Sequence, residues 1–255
     1  MRNVLTLADK ELRSYFASPI AYVIIGLFAL LFGYFYYAYL YIFIRSSAEM
    51  MQAGGGRAPN INQQMIAAVL QNSAVIILFV MPMITMRTYS EEKRSGTMEL
   101  LLTSPITDLQ IVVGKFIGAM GLVAAMLVMT LPHVLILFWF ADPEWRPIVT
   151  SYLGFFLMAG CFVAVGLFIS SLTRNQIIAA MATFGVFLML WVIDWMGTFM
   201  GPNGQAVFQY LSITGHFEDF TRGVLDTKHL VYYTSFILFG LFLTMRSVET
   251  ERWRG

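Results

Sequence analysis

Charge is scarce in this chain: Asp, Glu, Lys and Arg make up 12% of 255 residues, against 58% hydrophobic. So low a charged fraction, combined with long apolar runs, excludes an ordinary soluble domain and indicates an integral membrane protein. The net charge is only +1 and the basic residues are dispersed, which argues against a nucleic-acid surface. Cysteine is nearly absent. The single Cys161 lies inside an apolar run, so it makes no intrachain disulfide and supports no cysteine-based metal site. Signatures of chemistry are missing too. The Gly114-Lys115 pair lacks the upstream glycine and the hydroxyl residue of a phosphate loop. HExxH and GxSxG are absent, which removes the commoner intramembrane protease and serine hydrolase readings. The expectation is a chain that is no enzyme and binds no cofactor or metal of its own.

What is present is a series of apolar segments long enough to cross a bilayer, at about 20 residues each. Six qualify: 20–44, 65–87, 108–140, 149–172, 177–199 and 229–247. The runs are continuous rather than alternating, so the expected fold is an all-α bundle and not a β-barrel. Helix starts carry their own signals. Ser18-Pro19 and Asp142-Pro143 place a capping residue before proline, and Thr107…Gln110 and Thr173…Gln176 fit capping boxes. The third run is long enough to tilt or to extend past the bilayer. No removable signal peptide is expected, since the start is charged and lacks an apolar core region.

With both termini inside, the inner side collects Arg2, Lys10, Arg13, Arg87, Lys93, Arg94, Lys115, Arg174, Arg246, Arg252 and Arg254. The outer side keeps Arg45, Arg57, Arg146, Arg222 and Lys228. That asymmetry orients the chain by the positive-inside rule. Tyr34, Phe35, Tyr36, Tyr37, Tyr39 and Tyr41 crowd the outer end of the first span, as an interfacial belt does. Ahead of that span, Val4, Leu5, Ala8, Leu12, Tyr15 and Phe16 share one arc of a helical wheel of ~120°. Such a helix lies on the inner leaflet, either as a plain anchor or as an elbow beside a docking surface.

Between spans two and three comes the densest polar stretch, Glu91 to Glu99, followed by Leu100-Leu101-Leu102-Thr103-Ser104-Pro105. It must sit in water, and a short amphipathic helix there suits docking to a soluble partner; the plainer reading is a solvated loop that only fixes topology. The segment 200–228 is too apolar for a linker yet broken by Gly and polar residues. Short re-entrant helices roofing the outer side satisfy both facts. Asp194 is the one acid well inside a late span and His133 sits near the outer end of the third, and intramembrane ionisable groups are functional candidates by default. Asp194 lies within ~8 Å of the outer end at ~1.5 Å per residue, where snorkelling or a hydrogen bond to a neighbouring helix accounts for it equally well.

The whole order resembles the membrane subunit of an ABC-2 type ATP-binding cassette transporter with the type V exporter fold. The residues that carry this are Lys10-Glu11-Leu12-Arg13-Ser14-Tyr15-Phe16 with Ser18-Pro19, Gly96-Thr97-Met98-Glu99-Leu100-Leu101 and Val113-Gly114-Lys115. Gly215-His216-Phe217-Glu218-Asp219-Phe220 and Arg222-Gly223-Val224-Leu225-Asp226 are most similar to gliding-motility-type permeases. The resemblance implies an elbow helix at 1–17 and a coupling helix at about 89–103. Glu91, Glu92, Arg94, Gly96, Thr97 and Glu99 would dock a cytoplasmic ABC ATPase, while Met98, Leu101 and Leu102 pack the coupling helix on the bundle. The outer roof, about 200–228, would present His216, Phe217, Phe220, Arg222, Gly223 and Asp226 to a partner or an exit.

The implied assembly has two copies of the ATPase, which hold ATP and Mg, and a second permease copy or a related membrane subunit. An accessory subunit with an extracytoplasmic domain is a further expected partner, and the implied location is the bacterial inner membrane with both termini cytoplasmic. The function implied is ATP-driven export or force transmission; the competing class is a membrane scaffold without transport.

Overall fold

The computed structural model describes residues 2–52, 60–199, 207–208 and 210–253, with the backbone alone at 194–195 and 197–198. The described residues are almost all helical and contain no strand. In chain order the helices are α1 (Arg2–Ala17), α2 (Pro19–Gln52), α3 (Ala68–Ser95), α4 (Thr97–Thr103), α5 (Asp108–Val128), α6 (Leu131–Phe140), α7 (Trp145–Leu172), α8 (Gln176–Phe199), α9 (Ile213–Thr221) and α10 (Thr227–Arg252). A π-helical turn, Asn62–Ala67, runs directly into α3. Six helical segments are long and apolar enough to cross a membrane, α5 and α6 together forming the third. The chain is an all-α integral membrane protein.

Helices α3 and α7 form the centre, with 72% of an 18-residue apolar stretch buried in each, whereas the same stretch is only 28% and 17% buried in α2 and α8, which form the outer wall. The small residues of α7 explain its position. A Cβ on Gly154 would lie 2.6 Å from the Phe220 ring, and one on Gly166 would collide with Thr85. α7 therefore packs closely on α9, α10 and α3. Of the outer aromatic belt, Tyr34, Tyr37 and Tyr41 are exposed, while Phe35, Tyr36 and Tyr39 pack against the core.

Local signals fix several helix ends. Thr107 and Gln110 form the expected capping box at the start of α5. Ser18 accepts a bond from the Ile20 amide, and Pro19 opens α2. The other two expected caps differ. Asn175, not Thr173, receives the Ile177 amide at 2.9 Å, because Asn175 stands one residue before the helix and reaches it directly. α7 begins at Trp145 without a side-chain cap, and the buried Asn62 instead pairs with both backbone groups of Glu144, at 2.6 and 3.1 Å. The long third run breaks at Met129–Thr130, ahead of Pro132, and the Thr130 hydroxyl bonds Leu127 O and Tyr152.

Candidate functional site

The corner between the second and third spans is built by one glycine. α3 does not stop at the membrane but continues through the charged cluster to Ser95, so Glu91, Glu92, Lys93 and Arg94 belong to its last turns. Gly96 then adopts φ +74, a left-handed conformation that L side chains rarely hold, and α4 starts at Thr97. The expected single helix over 89–103 is thus two helices meeting at a corner.

The corner has two faces. Met98 is 3% exposed, and Leu101 and Leu102 pack against the core. Arg94, Gly96, Thr97 and Glu99 are exposed, and Leu100 projects with 72% of its surface free. A groove of ≈ 580 Å³ runs beside them, lined by Lys93, Glu99, Thr103, Arg174 and Glu251 among others. The end of α10 clasps this rim. Glu251 pairs with Lys93 at 3.0 Å, and Arg252 with Asp108 at 2.8 Å. Both described termini therefore lie at the Gly96 end of the bundle.

Glu91 and Glu92 point elsewhere. Glu91 is half-buried and holds Arg87 at 2.8 Å. Glu92 turns inward to Lys115, whose side chain is fully buried. The Lys115 ammonium lies 2.7 Å from Glu11, 2.9 Å from Glu92 and 2.9 Å from the Thr88 carbonyl. It also sits over the Tyr89 ring, 5.1 Å from the centroid. One buried cation thus joins α1, α3 and α5. Its three donors each find an acceptor, which is what a desolvated ammonium requires.

The same joint depends on close helix packing. A Cβ at Gly114 would meet Leu7 Cβ at 2.7 Å, and one at Gly118 would meet Glu11 Cβ at 2.6 Å. α1 therefore lies in a strip of small residues on α5, with Leu7, Ala8 and Glu11 as its buried face. Leu5, expected on that face, is exposed because the strip and not the apolar arc sets the rotation. Sequence reasoning missed Glu11, Lys115 and this strip as site residues. Two signals were available: Gly114-xxx-Gly118, and a lysine next to a long apolar run.

At the opposite end α9 roofs the bundle. Phe217 and Phe220 are buried against α7, and the Phe220 carbonyl accepts the Thr150 hydroxyl at 2.8 Å. Gly223, at φ +84, turns the chain toward α10, and Asp226 caps that helix by accepting the Lys228 amide. Arg222 is exposed and pairs with Glu218. His216 is buried and meets His229. The candidates therefore separate: Phe217 and Phe220 seat the roof, while Glu218 and Arg222 face outward. His133 packs edge-on to Phe32 and Tyr36, away from the other histidines. Asp194 lies on α8, and its side chain is outside the described residues.

No group of three metal-binding side chains occurs among the described residues. A family model described as "ABC-2 family transporter protein" matches residues 5–245. No curated protein matches the chain.

Proposed function

We propose, from the premise that this chain belongs to the ABC-2 family of transporter proteins, that its Gly96 corner receives the stroke of a separate cytoplasmic ATPase. Membership makes the chain a membrane permease subunit of an ABC transporter. The observation that carries the docking reading is the division of the corner: Met98 of α4 is locked into the bundle, while Arg94 at the end of α3 and Thr97, Glu99 and Leu100 of α4 face outward around a fixed turn. Mixed charge on an exposed corner suits register and fast association with a polar groove. Beneath it, Lys115 ties the last turns of α3 to α1 and α5. A displacement of α4 is therefore passed to three helices at once. ATP-bound and ATP-free partners act by preferring different arrangements of that joint.

In this reading the Gly96 end and both termini face the cytoplasm of a bacterium, and the bundle sits in the inner membrane. Two ATPases carry the ATP and Mg, and a second copy of this chain or a related subunit completes the membrane part. An accessory subunit with an extracytoplasmic domain would meet Glu218 and Arg222 on the roof. The work drives export, or force transmitted to that subunit. The force reading is favoured by the seating of Phe220 on Gly154 of α7, which makes α9 move with the centre of the bundle.

Affinity purification in mild detergent tests the docking. Reversing Arg94→Glu together with Glu99→Arg is expected to lower ATPase recovery at least about ten-fold, with membrane insertion unchanged. Full recovery of the ATPase by the double variant would remove the corner from the interface.

A further inference from the structure

The roof contains a histidine pair that ATPase docking leaves unused, and its hydrogen bonds fix its protonation. His216 Nε2 lies 2.9 Å from the Tyr210 carbonyl oxygen. His229 Nε2 lies 2.7 Å from Asp219 Oδ2. A carbonyl oxygen and a carboxylate accept only, so both Nε2 atoms carry hydrogen. Were both imidazoles neutral, each Nδ1 would then be a bare lone pair. Yet the two Nδ1 atoms stand 2.5 Å apart. Two lone pairs at that distance repel, and one proton between them turns the contact into an N–H···N hydrogen bond. A bridging metal does not fit, since a zinc ion would hold two nitrogens about 3.3 Å apart.

We infer that His216, His229 and Asp219 form a one-proton binding site that fastens roof helix α9 to the last span α10, so that pH sets how firmly α9 holds over the cavity beside it. The Asp219 carboxylate, facing the other nitrogen of His229, supplies the counter-charge that a proton shared between the rings requires. His216 is the neutral acceptor. Burial, and the positive charges on His229 and Lys228, push its imidazole below the ordinary histidine range, which opposes a second proton. Its ring stacks on Tyr232 with centroids 3.9 Å apart, which holds Nδ1 in line with its partner.

Other ionisable groups border the pair. They are Glu218 on α9, then Asp226, Lys228, Tyr232 and Tyr233 on α10, with Tyr210 ahead of the roof. Among the described residues α3 and α8 contribute Gln71 and Trp191 to the lining, neither of which titrates. Beside the pair lies a half-open cavity of ≈ 750 Å³, lined from α3, α8, α9 and α10 and by both histidines, with Ala74 on its wall at 6% exposure. Loss of the shared proton restores the lone-pair repulsion and loosens α9 over that cavity.

Thiol labelling of the full chain in lipid nanodiscs tests this. Ala74→Cys reports the cavity, Met51→Cys, at a site 83% exposed, supplies the reference rate at each pH, and the buried Cys161 gives the background. The normalised Ala74→Cys rate is expected to rise about ten-fold between about pH 5 and pH 9, equivalent to about 1.4 kcal/mol. His216→Phe and His229→Gln are each expected to abolish that rise. Asp219→Asn keeps the shape but removes the carboxylate, and is expected to move the midpoint to lower pH. A flat profile in the otherwise unaltered chain, or a rise that survives both histidine changes, overturns the proposal. If the histidine variants fail to insert, Asp219→Asn decides alone, and an unmoved midpoint overturns it.

Discussion

Lys115→Met is expected to destabilise the protein by about 3–5 kcal/mol, the usual result of removing one partner from a buried ion pair. The lysine is fully buried, and its loss leaves Glu11 and Glu92 without the cation that both contact within 3 Å. Lys10, 3.8 Å from Glu92, is largely exposed and a poor substitute. Denaturant midpoints in mild detergent measure the effect, and a change below about 1 kcal/mol would mean that water screens the cluster. A triple change separates stability from coupling. Lys115→Met with Glu11→Leu and Glu92→Leu removes all three charges, and such replacements are often neutral for folding. The triple variant is expected to insert and to retain the ATPase, yet to lose the stimulation of ATP hydrolysis that a rigid joint transmits.

The second large effect is expected from Gly118→Leu. A Cβ there would stand 2.6 Å from Glu11 Cβ and 3.2 Å from the Ala8 carbonyl, both on the α1 backbone or next to it. Neither neighbour is the free end of a flexible chain, so α1 must leave the strip and pull Glu11 from Lys115. The combined loss is expected to exceed about 3 kcal/mol. Trypsin cleavage after Lys10 or Arg13 reports it, because α1 is cut only once it lifts from α5. Gly121→Ala is the internal control. Its Cβ would meet the Leu12 Cδ1 at 3.0 Å, a side-chain tip that can rotate away, so cleavage is expected to stay slow. Equal cleavage in both variants would mean that α1 is held by something other than the strip.

The spans were legible in the sequence because a bilayer imposes one strong rule, about 20 apolar residues per crossing, and the six runs obey it. The Thr107–Gln110 box was legible for a similar reason: it is local, three residues apart, and needs no tertiary partner. What was not legible is long-range or rotational. Lys115 and Glu11 stand 104 positions apart, and nothing in either neighbourhood announces the other. The rotation of α1 follows from glycines on a different helix, so the apolar arc placed Leu5 inward where the structure has it exposed. The charged stretch at 91–99 looked uniform along the chain. Only the unbroken course of α3 to Ser95 turns Glu92 inward and leaves Arg94 and Glu99 at the surface. The roof was legible as apolar, but the meeting of His216 and His229 depends on how α9 and α10 fold onto each other.

Site-specific photo-crosslinking from Leu100 tests the central claim most directly. This side chain is 72% exposed on the outward face of α4, and Phe140, 85% exposed on α6, serves as the control. With a photoreactive residue at 100, the account predicts a covalent adduct to an ABC ATPase in native membranes, and no such adduct from 140. Adducts from 100 to lipid or to another copy of this chain alone would contradict it, because the corner would then face something other than the motor.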